Sequence, residues 1–258
     1  MTLPRIYLPR PLAAGDQAKA TDELARYLKT VLRLQDGEPL WVFNGTSWEY
    51  EALVRRTTEG VALEITGRRT VPADRIAITL CQAIPKADKL ETIIRHAVEL
   101  GVGRIIPFFA ERSVPRWTAE KSPQKRARWQ KVAVEACRQC GRSDLPVIEE
   151  VTSLPDALGF APPGGLSLAF WEEESARGIR ETLRDRAYDE TREFLLVIGP
   201  EGGFAKEEID QAKAAGCLSV SLGKRVLRVD TAAMTALAVL QYERGAIGGA
   251  DRGGPHDE

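Results

Sequence analysis

The chain has 258 residues, 43 % of them apolar and 28 % charged, with a formal net charge of −1. That composition suits an ordinary globular protein, with length for one large domain or for a small and a medium one. It excludes a wholly basic RNA-coating protein but leaves room for a local basic face. No apolar run approaches the ~20 residues that span a bilayer. The stretch from Met1 to Leu12 is broken by Pro and Arg and has no apolar signal core, so a cytoplasmic protein without a membrane segment is expected.

Up to about Pro72 the pattern is that of short strands. Arg5-Ile6-Tyr7-Leu8 is the first. A helix is expected from Thr21 to about Leu32. Pro39 to Phe43 is a second strand, followed by the hairpin signal Asn44-Gly45. Trp48 to Val54 and Val61 to Ile65 complete the set. Residues 1–72 therefore read as a small β-barrel domain with one helix.

After Pro72 strands alternate with helices. Ile76 to Leu80 is a buried strand. A helix follows, with Asp88 and Glu91 placed as a capping box, the stripe Leu90, Ile93, Ile94, Ala97, Val98 facing inward, and Gly101 as its stop. Arg104 to Phe109 is a strand and Ser122 to Cys140 a long basic helix. Leu166 to Phe170 is a strand, with a helix near Ala176 to Arg186. Phe194 to Ile198 is a strand and Ala205 to Ala215 a helix. Leu218 to Leu222 is the last strand, and Asp230 caps a final helix running to about Tyr242. This alternation predicts an α/β domain over residues 73–244, a mostly parallel sheet with helices on both faces. Ala232 to Leu240 is apolar nearly all round and should be buried, in the core or a dimer interface. The Gly-rich polar stretch 245–258 reads as a disordered tail.

Two segments carry chemistry. Ile198-Gly199-Pro200-Glu201-Gly202-Gly203-Phe204 lies where a strand ends and a helix begins, the place where α/β sheets gather ligands. Its glycines let backbone N–H groups approach a ligand. It is neither a dinucleotide fingerprint nor a phosphate loop, and on its own it could be only a tight turn. The second runs from Ser221 to Ala233. A strand ends at Gly223, three cations (Lys224, Arg225, Arg228) follow, and Asp230 and Thr231 are N-cap candidates. Two such loops at neighbouring strand ends favour a site over two accidental turns. Cys137 and Cys140 form a C-x-x-C. No second ligand pair stands near it, so no metal is expected and a packing role is the simpler reading. His96 lies within a helix and offers no hydrolase triad.

The two loops and their separation resemble the knotted SPOUT methyltransferases. In particular they resemble the RsmE family, which methylates N3 of a uridine in small-subunit ribosomal RNA. Gln139-Cys140-Gly141-Arg142-Ser143 with Pro146 resembles that family's Q-C-G-R-S-x-x-P stretch. Lys86 to Glu99 with Gly101-Val102 resembles its K-x-x-K-x-E helix. Arg5-Ile6-Tyr7 and Val31-Leu32-Arg33-Leu34 resemble its N-terminal domain. The match runs from about Arg5 to Tyr242. There are departures. Asp230 stands where the family commonly has Glu, and Tyr27 and Leu28 stand where it often has histidines.

The resemblance implies a trefoil-knotted sheet, a PUA-like N-terminal domain that binds RNA, and a homodimer. It implies S-adenosylmethionine as cofactor, held by Phe170, Ile198, Gly199, Pro200, Glu201, Gly202, Gly203, Leu222, Gly223, Val226, Leu227, Arg228, Thr231 and Ala232. The substrate implied is 16S ribosomal RNA, read as part of the assembled 30S subunit. Uridine N3 keeps its proton at neutral pH, so the site needs a base or donors for the uracil anion. Arg228 is expected to stabilise the anion, and Glu201 or Asp230 to take the proton. The plainer readings are a loop brace for Glu201 and a helix cap for Asp230. RNA contacts are expected from Arg5, Arg10, Arg33, Lys86, Lys89, Arg112, Arg138, Gln139 and Arg142. Lys121, Lys125, Arg126, Arg128 and Lys131 extend that basic helix beside Trp117 and Trp129; they could equally form a solvated face. Competing readings are a SPOUT enzyme acting on a ribose 2′-hydroxyl or on transfer RNA, and a non-catalytic assembly factor.

Overall fold

The computed structural model describes residues 3–72, 74–114 and 122–248. It divides into two compact units, Met1–Ala73 with Val134–Leu145, and Asp74–Ala133 with Pro146–Glu258. Trp117, Lys121 and the end of the expected tail lie outside the described residues.

The first unit contains β1 (Arg5–Tyr7), β2 (Gln17–Lys19), α1 (Asp22–Arg26), β3 (Pro39–Phe43), β4 (Trp48–Thr57) and β5 (Gly60–Thr70), with sheet order β1-β3-β4-β5-β2. β1 pairs parallel with β3, and the other pairs are antiparallel. A register shift between Glu51 and Ala52 bends the long β4–β5 hairpin. The strands alternate as the period-2 pattern requires, and Ile6, Leu40, Val42, Tyr50, Val54, Leu63 and Ile65 form the core with Leu28. Thr21 caps α1 by accepting from the Leu24 N–H. The expected helix is split, because Tyr27–Val31 continues it as a single π turn closed by Leu32 N–H on the Tyr27 carbonyl. The Asn44-Gly45 signal also resolves differently. The β3–β4 connection is four residues, not two. The Asn44 side chain accepts from the Thr46 N–H and hydroxyl, and Gly45 takes φ +87°.

The second unit contains β6 (Ala77–Ala83), α2 (Lys89–Glu99), β7 (Arg104–Phe109), β8 (Val147–Ile148), β9 (Thr152–Ser153), α4 (Leu154–Leu158), β10 (Leu166–Phe170), α5 (Ile179–Leu183), β11 (Glu193–Ile198), α6 (Lys206–Ala214), β12 (Leu218–Val220) and α7 (Val229–Glu243). Helix α3 (Ser122–Cys140) begins here and ends in the first unit. The sheet runs β12-β10-β11-β6-β7-β8, with β9 beside β7, and every pair is parallel. Side chains alternate across it. Cys81, Ala83, Leu195 and Val197 pack with Leu154, Leu158, Ile209 and Ala212 of α4 and α6. β10 is buried at all five positions, as a strand covered on both faces must be. The architecture is the expected SPOUT-type α/β fold with an N-terminal PUA-like domain.

Two expected caps are corrected. Asp88 precedes α2 without a side-chain hydrogen bond to it. The N-cap of α7 is Arg228, so Asp230 sits one residue inside the helix, where its charge favours the helix N-terminus without capping it. Glu208 does act as a cap partner for α6: its carboxylate accepts from the Ala205 and Glu111 N–H groups, both at 2.9 Å. The helix near residue 180 is also shorter than its expected span, five residues.

Candidate active site

Parallel pairing brings three strand ends together. Phe170 of β10 lies opposite Ile198 of β11 and Val220 of β12. The two sequence-predicted loops leave from two of these ends.

The first loop is shaped by its own residues. Gly203 closes a turn by donating to the Pro200 carbonyl at 3.0 Å and adopts φ +69°, a conformation that favours glycine. A Cβ there would also meet the Glu172 carboxylate at 1.7 Å. Phe204 anchors the loop in the core, its ring stacked on Phe108 with centroids 6.4 Å apart. Glu201 ties the loop to the start of α2. Its carboxylate accepts from the Lys86 N–H at 3.1 Å and from the Lys89 ammonium at 2.8 Å. Partial burial alone would raise the pKa of Glu201. The hydrogen bonds from Lys89 and from the main-chain N–H groups of Glu201 and Lys86 outweigh that and hold it below the usual carboxylate range. Arg112 donates to the Gly202 carbonyl at 3.1 Å.

The second loop starts from Ser221, whose carbonyl accepts from Ile179 and whose hydroxyl accepts from the Gly223 N–H at 3.1 Å. Gly223 takes φ +118°, and a Cβ at that position would face open space. Lys224, Arg225, Val226 and Arg228 are exposed.

Between the loops lies a cavity of about 280 Å³. Phe170, Ile198, Leu222 and Leu227 give it apolar walls, and Gly199, Gly203 and Gly223 bring main chain to its surface. Arg225 and Arg228 stand on its lining with Glu172 and Glu201. Of the residues expected around the cofactor, Pro200, Val226 and Ala232 also line it, while Gly202 and Thr231 do not. Asp230 is off the lining too, and its Oδ1 is buried with no hydrogen-bond partner among the described residues. Ser221 and Val229, within the second segment but not assigned to the cofactor, also line the cavity, as do Trp171 and Glu172, which the sequence reading did not single out. Trp171 and Glu172 directly follow Phe170, so the rule placing ligands outside strand ends could have found them.

The residues expected on RNA, eight cations and Gln139, divide into two groups. Arg10, Arg33, Lys86, Arg112 and Gln139 are exposed, and Arg112 is tied to the Gly202 carbonyl. Arg5, Arg138 and Arg142 are engaged inside the first unit. Arg5 pairs with Glu49 and donates to Ser143 at 3.1 Å. Arg142 pairs with Asp144, and Arg138 pairs with Glu135 and Tyr27. Lys89 is held by Glu201. On α3, Arg126 donates to the Ile148 carbonyl and Arg128 pairs with Glu91. Cys137 is buried and its thiol is pushed up to about 12, chiefly by burial, which suits packing rather than redox chemistry. Among the described residues no group of three His, Cys, Asp or Glu side chains is arranged to hold a metal. No helix among them is long and apolar enough to cross a membrane.

Residues 72–241 match the model of the RNA methyltransferase domain, and residues 20–65 match that of the RNA methyltransferase PUA domain. The chain belongs to the ribosomal RNA small subunit methyltransferase E family. The family's Rickettsia conorii member is 32 % identical over 91 % of this chain and 93 % of its own. The Bacillus subtilis member is 29 % identical over 86 % and 89 %. The Neisseria gonorrhoeae member, solved bound to S-adenosylmethionine, superposes with a TM-score of 0.83 at 30 % identity, covering 93 % of this chain and 97 % of its own. A Legionella pneumophila structure in complex with the bound cofactor gives 0.79 at 32 % identity over 94 % and 98 %. The family's Q-C-G-R-S stretch falls here at the end of α3, where Arg142 and Ser143 join Arg5 and Glu49 in one network.

Proposed function

We propose that this chain transfers a methyl group from S-adenosylmethionine to N3 of a uridine in 16S ribosomal RNA, acting in the cytoplasm on the assembled 30S subunit as a homodimer. The coarser statement, an S-adenosylmethionine-dependent ribosomal RNA methyltransferase, follows from the family. The observation that carries the reading is the cavity at the adjoining ends of β10, β11 and β12, with both loops on its walls and Arg228 on its lining.

The residues present fit the cofactor. Apolar walls suit an adenine ring, and main chain at Gly199, Leu222 and Gly223 suits its polar edge. Glu172 would meet the cationic or hydroxyl-bearing part and Arg225 the carboxylate. Bound there, the cofactor supplies an electrophilic methyl group. The chain supplies the rest. Arg228 offers guanidinium donors to the uracil oxygen on which negative charge grows once N3 loses its proton. No ion pair engages Arg228 among the described residues. Glu201 fixes the loop against α2. The homodimer is supported by α7, which has no charged side chain between Thr231 and Tyr242 and leaves Tyr242 63 % exposed.

The test is methyl transfer from radiolabelled S-adenosylmethionine to small ribosomal subunits from a strain lacking the gene, followed by nucleoside analysis. Label is expected in 3-methyluridine. Arg228→Ala should lower turnover by about 10²- to 10³-fold, the cost of losing one oxyanion donor, while the cofactor still binds. Label in a 2′-O-methyl nucleoside, or only in transfer RNA, would overturn the assignment.

A further inference from the structure

The first unit has its own cavity, of about 430 Å³, whose lining includes Tyr7, Arg10, Asn44, Thr46, Trp48 and Tyr50. The pairing registers create it. Tyr7 ends β1 opposite Phe43, the last residue of β3, and Trp48 opens β4 after the Asn44–Ser47 connection. A strand end and a strand start therefore put Tyr7 and Trp48 on this cavity, and Tyr50, two residues further along β4, joins them. Asn44 holds the connection by donating to the Arg10 carbonyl at 3.3 Å and to the Tyr50 hydroxyl at 3.5 Å.

Two of the unit's arginines without a carboxylate partner stand at this cavity. Arg5, Arg55, Arg69 and Arg142 are each paired with a carboxylate. Arg10 and Arg68 have no carboxylate partner among the described residues. Arg10 lines the cavity, and the Arg68 guanidinium lies 4.3 Å above the Trp48 ring. Half-buried aromatic rings beside unneutralised guanidinium groups are the elements of a single-stranded nucleic-acid platform. Rings stack on a base whatever its identity, and the cations meet the phosphates on either side.

We infer that this cavity is a second RNA subsite, holding one unstacked nucleotide outside the methylation target. The inference rests on RNA being the substrate, as proposed above, and adds where a flanking nucleotide is gripped. The base stacks on Trp48 and Tyr7, and Arg10 meets its phosphate. An A-form duplex offers no unstacked base, so the subsite selects single-stranded or junction RNA.

The experiment uses the full chain and a short labelled oligouridylate, with an RNA duplex of equal length for comparison, followed by fluorescence anisotropy. The single strand is expected to bind more tightly than the duplex and to quench Trp48 emission. Trp48→Leu should weaken single-strand binding by roughly five- to hundredfold, the range of one lost stacking partner. Trp48→Phe keeps a ring and should stay close to the parent. Arg10→Gln, at an exposed position that cannot upset the core, should weaken binding and reduce the salt slope by about 0.7, one phosphate contact on a single strand. S-adenosylmethionine affinity, measured by calorimetry, should be the same in all four proteins. Parental affinity in both Trp48→Leu and Arg10→Gln would overturn the subsite. Loss of single-strand affinity in these variants, from a parent that methylates no RNA, would uphold the subsite while sinking the proposed activity.

Discussion

The Glu201 carboxylate is held by the Lys86 N–H and the Lys89 ammonium, with its side chain 22 % exposed. The sequence alone allows it two roles, proton acceptor or loop brace. Its neighbours favour the brace, because an acceptor works best with a pKa near the working pH and these partners push it the other way. The sign of the pH effect follows. A depressed carboxylate contributes stability above its unfolded pKa and loses it as pH falls through the folded value. At neutral pH the brace is therefore fully present, and it fails only in acid. Glu201→Gln should raise the dissociation constant for S-adenosylmethionine several-fold, since a neutral amide holds Lys89 less firmly. The acid limb of the kcat profile should not move. A vanished limb, read from initial rates between pH 5 and 9, would instead make Glu201 the base. Gly203 makes a second residue-scale case. Alanine there adds strain at φ +69° and drives its Cβ into Glu172, so Gly203→Ala should abolish measurable cofactor binding in calorimetry.

At the scale of elements, the buried strands were legible because their sequences have one reading. Leu166–Phe170 and residues 194–198 are short, mostly apolar runs between turn signals, and burying each Leu, Ile or Phe is worth roughly 1.5–3 kcal/mol. The two loops were legible for the same reason, since each follows the end of such a run. The Arg5 environment was not. Arg5 meets Glu49, 44 positions away, only because β1 pairs parallel with β3 and β3 antiparallel with β4. Ser143, fully buried, reaches the same carboxylate from another part of the chain. No local pattern encodes those registers, so an arginine with RNA-binding chemistry reads as exposed when it is 11 % exposed and paired. The pairing has a measurable consequence. Glu49→Ala would strand the buried Arg5 guanidinium and remove one partner of Arg69, and breaking a buried pair costs about 3–5 kcal/mol. Denaturant unfolding followed by fluorescence should show the first unit melting early. Glu49→Gln, which keeps a hydrogen-bond acceptor, should lose less. A midpoint unchanged in Glu49→Ala would mean the network contributes nothing to folding.

At the scale of the whole molecule, the apolar character of α7 has to be reconciled with its position. Val229, Ala233, Ala236, Leu237 and Leu240 are buried against the sheet and its neighbours, as the sequence led us to expect. The opposite face carries Thr231, Thr235, Ala238 and Tyr242, and the last is 63 % exposed. A helix face meant for water normally carries charges, and none occurs from Thr231 to Tyr242. Small side chains let a partner helix approach closely, and Tyr242 supplies the kind of aromatic anchor that interfaces favour. Val226, 83 % exposed beside the cavity, is a second apolar group that a partner would shelter. In a two-fold dimer each substitution is felt twice. Ala238→Arg would set like charges across the axis at a cost of several kcal/mol and should convert a dimer to monomer in sedimentation velocity. If the second copy also shelters the cavity, cofactor affinity should fall with the dimer. A dimer that survives Ala238→Arg would place the subunit contact elsewhere and leave the α7 face for another partner.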